Sequence, residues 1–193
     1  MSIPTSNLQP EEILKLEFEY ARETAAQAQG DRTTVVNLYL LLVGGVGSIG
    51  IALPQVGPQN GFEIPRLGYA LMFTLLGLIG FFTVMKLVRL RQAWYESVHA
   101  MNTIKKFYLD RFPELEAAFD WKVGSIPALG KPWTITFILS LLVALVDCAA
   151  LAVGLHFANQ YLANADMVGA FAAVLFFLWQ IYFYFLQLPL SNN

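Results

Sequence analysis

The sequence predicts an all-α integral membrane protein with four transmembrane helices in two hairpins and a cytoplasmic layer of amphipathic helices. Three observations predict this class. The composition is low in charge, four apolar runs are long enough to cross a bilayer, and lysine and arginine are distributed unevenly along the chain.

Apolar and aromatic residues make up 56% of the 193 residues, and charged residues only 13%. Soluble domains carry about 25% charged residues, so this deficit indicates a lipid environment. The net charge of −2 predicts no nucleic-acid partner. Cys148 is the single cysteine, which excludes an intrachain disulfide and a cysteine-based zinc cluster.

Residues 1–34 are predicted to form a cytoplasmic amphipathic leader helix. Pro10 followed by two glutamates suits a helix start. We expect the helix to end near Gly30. Its apolar stripe, at spacings of three and four, comprises Leu14, Phe18, Ala21, Ala25 and Ala28.

Residues 35–85 are predicted as the first transmembrane hairpin. Residues 35–53 and 67–85 each form an uncharged run of 19 residues, long enough as a helix to cross about 30 Å of hydrocarbon. The proline-rich segment 54–66 is the predicted loop between them. Small residues on both helices are predicted to let neighbouring helices approach closely: Gly44, Gly47, Ser48, Gly50, Gly77 and Gly80.

Residues 45–50 match the dinucleotide-binding pattern G-x-G-x-x-G. Such a site needs a helix that opens at the glycines and an acidic residue about 20 positions later. Pro54 and Pro58 leave no room for that helix. We therefore interpret these glycines as part of a helix-packing surface.

Residues 86–131 form a basic cytoplasmic connector that holds eight of the twelve lysines and arginines. No glycine or proline lies between Gly80 and Pro113, so the second transmembrane helix is expected to continue to about Leu109. A shorter helix is predicted from Pro113. The candidate partner-docking residues of the connector are Arg89, Arg91, Trp94, Val98, Met101, Lys105 and Lys106.

The connector and the leader have opposite charge, net +3 and net −3. We expect the leader to pack against the connector, apolar stripe against apolar stripe, with Phe18 near Met101. In the alternative interpretation the basic face of the connector rests on anionic lipid headgroups.

Residues 132–186 are predicted as the second transmembrane hairpin, and residues 187–193 as a short cytoplasmic tail. Asp147 and Gln180 interrupt its two apolar runs at similar depth. A carboxylate in the middle of a membrane is costly, and two interpretations remain open. Asp147 is protonated and shares a hydrogen bond with Gln180, within one subunit or between subunits, or a proton or cation path passes through Asp147.

No catalytic set is predicted. His99 and His156, the only histidines, are expected on opposite sides of the membrane, where they cannot share a metal. His156 and Asp147 are separated by about 13 Å along one helix, which excludes a Ser-His-Asp set. The aromatic residues of segment 176–185 suit an interfacial belt or packing. We expect no enzymatic activity, no cofactor and no metal.

Orientation follows from the basic residues in short loops. The leader has three and the connector eight, whereas the predicted outer loops have only Arg66. We therefore expect a multi-pass protein of the cell (plasma or inner) membrane, with both termini and the connector in the cytoplasm.

The order of leader helix, membrane hairpin and basic helical extension, over the first 120 residues, resembles small bacterial membrane effectors of antiviral defence such as the two-helix SLATT type. The resemblance implies an effector role and no site residue. We expect a non-enzymatic oligomeric membrane protein whose cytoplasmic helices receive a partner or signal, for example to gate a pore. The alternative is an accessory or scaffold subunit of a larger membrane complex. The expected partners are membrane lipid, further copies of the chain and other protein subunits.

Overall fold

A computed structural model describes residues 9–56, 65–118, 126–159 and 164–189. Their secondary structure is helical, without a strand, which confirms the predicted all-α class for this part of the chain. The helices are α1 (Pro10–Val56), α2 (Arg66–Arg111), α3 (Ile135–Phe157) and α4 (Ala165–Gln187), with a 3₁₀ helix at Pro113–Ala118. All four α-helices are long and apolar enough to cross a membrane.

Helix α1 is continuous for 47 residues and passes through Gly30 and Pro54. The predicted helix end near Gly30 is therefore wrong, and so is the predicted start of the loop at Pro54. A glycine inside a helix costs only about 1 kcal/mol. The helix packs along α2 on both sides of Gly30, and this packing outweighs the cost because most helix stability in proteins comes from tertiary contacts.

Helix α2 has 46 residues and ends at Arg111, close to the predicted end near Leu109. The backbone N–H of Phe112 donates to Tyr108 O at 2.9 Å and closes the last turn. Pro113 then begins the 3₁₀ helix, as expected for a residue that cannot continue the helix hydrogen bonding.

Helices α2 and α3 make the most extensive contact and form the centre of the fold, while α1 packs on α2 and α4 packs on α3. Gly50 near the end of α1 lies against Phe73 near the start of α2, so these two helices run in opposite directions. The core between α1, α2 and α3 is built from buried apolar side chains and the ring of Tyr39.

Large apolar side chains are exposed along all four helices. Examples are Leu41 (72%), Leu71 (63%), Leu145 (53%) and Phe171 (65%). Soluble proteins rarely leave apolar surfaces of this extent in water. Helices in hydrocarbon require them, because their backbone groups are already satisfied internally and their side chains contact lipid.

The parts of α1 before residue 35 and of α2 after residue 85 pack together, and we name them the extension layer. Ala21, Ala25 and Ala28 are buried there. Phe18 and Met101 line one groove of about 800 Å³ between the two helices. The expected contact between leader and connector is therefore present, formed by a straight continuation of α1.

Candidate functional site

A buried polar pair lies between α3 and α4. The Asp147 side chain is 0% exposed and that of Gln180 is 1% exposed. Gln180 Nε2 donates to Asp147 Oδ1 at 2.9 Å and lies 3.6 Å from Cys148 Sγ. The structure thus brings together the two polar residues that were expected at similar depth, and it joins them within one chain.

Gly80 on α2 leaves the space that this pair occupies. A Cβ atom at Gly80 would overlap Asp147 Cβ, and it would lie 2.7 Å from Tyr39 Oη and 2.9 Å from Asp147 Oδ2. A Cβ atom at Gly77, one turn earlier, would lie 3.0 Å from the backbone carbonyl oxygen of Asp147. Helices α1, α2 and α3 therefore meet at Gly80. Tyr39 Oη of α1 and Asp147 Oδ2 of α3 both border the small space that this glycine leaves.

We name Asp147, Gln180 and Tyr39 the Asp147 cluster. Several buried oxygens in and beside this cluster have no hydrogen-bond partner in the part of the chain that the structure describes. They are Tyr39 Oη, Ser140 Oγ, Asp147 Oδ2 and Gln180 Oε1. Buried polar atoms are normally satisfied. A proton on Asp147 Oδ2 would convert that atom from an acceptor into a donor, and the hydroxyl of Tyr39 beside the same space can accept or donate a hydrogen bond.

Tyr39 is absent from the predicted site residues, although it is 1% exposed and reaches the space beside Asp147. A tyrosine in an otherwise apolar run was the one available signal. Its role depends on which face of α1 packs against α2, and residue spacing alone does not give that face.

The predicted small-residue positions divide into two groups. Gly50, Gly77 and Gly80 pack within the chain, whereas a Cβ atom at Gly44 or Gly47 would meet no atom within 4 Å. Ser48 lies beside this open surface, and its Oγ donates to Gly44 O at 2.7 Å. The G-x-G-x-x-G segment lies wholly inside α1, so it lacks the strand-to-helix turn of a dinucleotide site.

The predicted docking residues also differ in position. Arg89 and Lys106 are exposed. Val98, Met101 and Lys105 line the groove between α1 and α2. These residues lie on the surface or in a groove of the extension layer.

Arg91, another of the predicted docking residues, is only 7% exposed. Its Nε donates to Leu129 O at 3.2 Å, and its guanidinium lies 4.5 Å from the centre of the Trp94 ring. Trp94 also lines a second groove of about 360 Å³. Burial lowers the pKa of the Arg91 guanidinium, while nearby Tyr184 raises it in part and Arg32 lowers it.

At the other end of the fold, His156 Nδ1 lies 2.7 Å from Asp166 Oδ1 and connects the end of α3 to the start of α4. His99 lies in the extension layer, stacked against Tyr95. The two histidines are thus far apart. Among the described residues, no group of three or more His, Cys, Asp or Glu side chains is placed to hold a metal.

The aromatic residues of α4 pack against α2. Phe81 lies 4.8 Å from Trp179 between ring centres and also contacts Phe176 and Phe183. Tyr182 is 64% exposed. Part of segment 176–185 therefore packs inside the chain, and part faces outward.

Comparison with models of known families, with characterised proteins and with solved structures finds no match for this chain. The resemblance to small membrane effectors is therefore one of layout only. Any functional conclusion rests on the arrangement of the residues described above.

Proposed function

We propose that this chain is a non-enzymatic, oligomeric membrane effector that spans the cell membrane as two helical hairpins, with both termini in the cytoplasm. The extension layer receives a partner or signal, and the four spans respond by opening a pore between copies. The observation that carries this proposal is the continuity of α1 and α2, each of which runs unbroken from the extension layer into the apolar region.

Continuity matters because a rigid helix transmits a shift of one end to the other. The Asp147 cluster is the element on which such a shift would act. Tyr39 belongs to α1 and Gly80 to α2, and both contact the space beside Asp147. A small displacement of either helix changes the surroundings of a buried carboxylate, whose charge state depends strongly on them.

The proposal of an oligomer is supported by the open surface of α1. Gly44 and Gly47 leave room for another helix to approach closely, and exposed leucines flank them at Leu40, Leu41 and Leu42. Small residues beside large apolar ones are typical of helix contacts in membranes. A pore would have to form between copies, because Asp147 and Gln180 are sealed inside one chain.

The second candidate function is an accessory or scaffold subunit of a larger membrane complex. The complete burial of Asp147 and Gln180 favours this accessory role, because a subunit that conducts no ions needs no polar surface exposed between its helices. In this case the open surface of α1 and the exposed face of α4 would contact different proteins.

Purification in mild detergent separates the two candidates. The effector predicts a complex of several copies of this chain alone. Its copy number should fall for Gly47→Leu, whereas Leu71→Ala, on the exposed face of α2 outside the proposed contact surface, should leave it unchanged. A defined set of other subunits at fixed ratio favours the accessory role. A strict monomer that leaks no ions when reconstituted in vesicles contradicts the effector.

A further inference from the structure

Two arginines from different helices meet beside the first turn of α3. Arg32 of α1 and Arg91 of α2 line one cleft together with Thr136. The space inside this cleft is small, about 10 Å³, so an anion would lie at its open mouth and not inside it. Its other lining residues are Ala28, Gln29, Leu90 and Trp94, so the cleft contains two positive charges and no carboxylate.

The hydrogen bonds of the two guanidinium groups leave donor capacity unused. Arg32 Nη1 donates to Thr136 Oγ1 at 3.2 Å, while Arg32 Nε is buried without a partner in the part of the chain that the structure describes. Arg91 donates from Nε and Nη2 to the carbonyls of Leu129 and Ala128. These acceptors are neutral, so neither charge is compensated by them.

Counter-charge is missing as well. No carboxylate of the described residues is paired with Arg32 or Arg91, and the ion pair between His156 and Asp166 lies far from this cleft. Two guanidinium groups in one partly buried cleft repel each other, and removing them from water adds a further cost. An anion at the mouth of the cleft would relieve both costs.

The position of the cleft indicates which anion suits it. Arg32 lies three residues before the apolar run 35–53, and Arg91 lies six residues after the run 67–85. The cleft therefore lies at the level where the apolar surface ends. Thr136 is in the first turn of α3, where the helix dipole adds positive potential.

We propose that the cleft between Arg32 and Arg91 binds a phosphate group. Guanidinium groups present paired N–H donors whose geometry matches phosphate oxygens. The phosphate can belong to a lipid headgroup or be free in solution, and the experiment separates these sources. The inference is independent of the proposed effector function, because phosphate binding is measured without any pore or partner.

The test uses the full-length protein in phosphate-free dodecyl maltoside, with thermal unfolding as readout. One arm adds sodium phosphate against sodium chloride at equal ionic strength. The other adds dioctanoyl phosphatidic acid against dioctanoylglycerol, which has the same acyl chains and no phosphate. A ligand that binds the folded state raises Tm in proportion to its occupancy.

We expect phosphatidic acid, inorganic phosphate or both to raise Tm, and neither control to do so. A rise with the lipid alone identifies a headgroup site, and a rise with inorganic phosphate identifies a site that also accepts the free ion. Arg32→Gln should weaken the apparent affinity about tenfold or more, as expected for a charged hydrogen bond.

Arg22→Gln is the matched control, because it removes the same charge from an exposed position of the same helix, and it should retain the full shift. Arg32→Lys keeps the positive charge but lacks the paired N–H donors, so this variant should bind phosphate with intermediate affinity. If Arg32→Gln does not fold, Arg32→Lys provides the comparison in its place. No Tm shift with either phosphate source, or equal shifts for Arg32→Gln and Arg22→Gln, would overturn the proposal.

Discussion

Asp147 is kept in the interior of the fold by the residues around it. A buried carboxylate is tolerated only when its oxygen atoms are hydrogen-bonded or it is protonated. Gln180 satisfies Oδ1, and Oδ2 lies beside Gly80 and the hydroxyl of Tyr39. The cluster therefore depends on four residues from four different helices.

Replacing Gln180 with leucine removes the amide that donates to Asp147. We expect Gln180→Leu to lower the free energy of unfolding in detergent by about 1–3 kcal/mol, because a buried acceptor loses its donor. Gln27→Leu is the matched control. Gln27 is exposed on α1, and its substitution should change stability by no more than about 0.5 kcal/mol. Equal stability of the two variants, measured by chemical denaturation, would mean that the hydrogen bond contributes nothing.

Gly80→Ala and Gly47→Ala add the same methyl group in opposite surroundings. At Gly80 the methyl group would overlap Asp147 Cβ and force α2 and α3 apart, so we expect a loss of about 1–3 kcal/mol. At Gly47 it meets open space, and alanine should gain up to about 1 kcal/mol of helix stability. Melting temperatures that fall equally for both variants would contradict the packing at Gly80.

The sequence predicts part of this site. Asp147 and Gln180 interrupt apolar runs, so their depths can be counted and their proximity expected. The contribution of Tyr39 and the place of Gly80 opposite Asp147 depend on which helix faces meet, and spacing within one helix does not contain that information. The burial of Arg91 likewise depends on the path of the segment that carries Leu129.

The two long helices are the elements that connect the extension layer to the apolar region. The end of α2 was predictable because no glycine or proline lies between Gly80 and Pro113. The extent of α1 was not, because Gly30 is a poor helix residue. Its cost is offset by packing on α2 at Ala21, Ala25 and Ala28, which only the assembled fold reveals.

Gly30 offers a test of the continuity of α1, because a Cβ atom introduced at this position would meet no atom within 4 Å. Gly30→Pro should break α1 locally at a cost of about 3 kcal/mol, whereas Gly30→Ala should preserve it. The readout is intramolecular crosslinking of Phe18→Cys to Met101→Cys with a short bis-maleimide. We expect efficient crosslinking with alanine at position 30 and a marked loss with proline. The same yield in both backgrounds would mean that the extension layer holds together without a continuous α1.

The whole molecule combines a sealed polar centre with an apolar exterior. Apolar side chains are exposed on all four helices, whereas the described charged residues of α2 begin at Lys86, apart from Arg66 at its first position. This division between apolar spans and charged ends is expected for a protein that lies partly in hydrocarbon and partly in water.

The most direct test of this account is the accessibility of two cysteines to a membrane-impermeant maleimide, introduced singly as Lys106→Cys and Arg66→Cys. Lys106 is exposed in the extension layer, and Arg66 is exposed at the start of α2. The native Cys148 is buried, so the unmodified chain serves as the control. We predict that Arg66→Cys is labelled in intact cells and Lys106→Cys only in inside-out vesicles. Labelling of both positions from the same side, or recovery of the chain in the soluble fraction, would contradict the account.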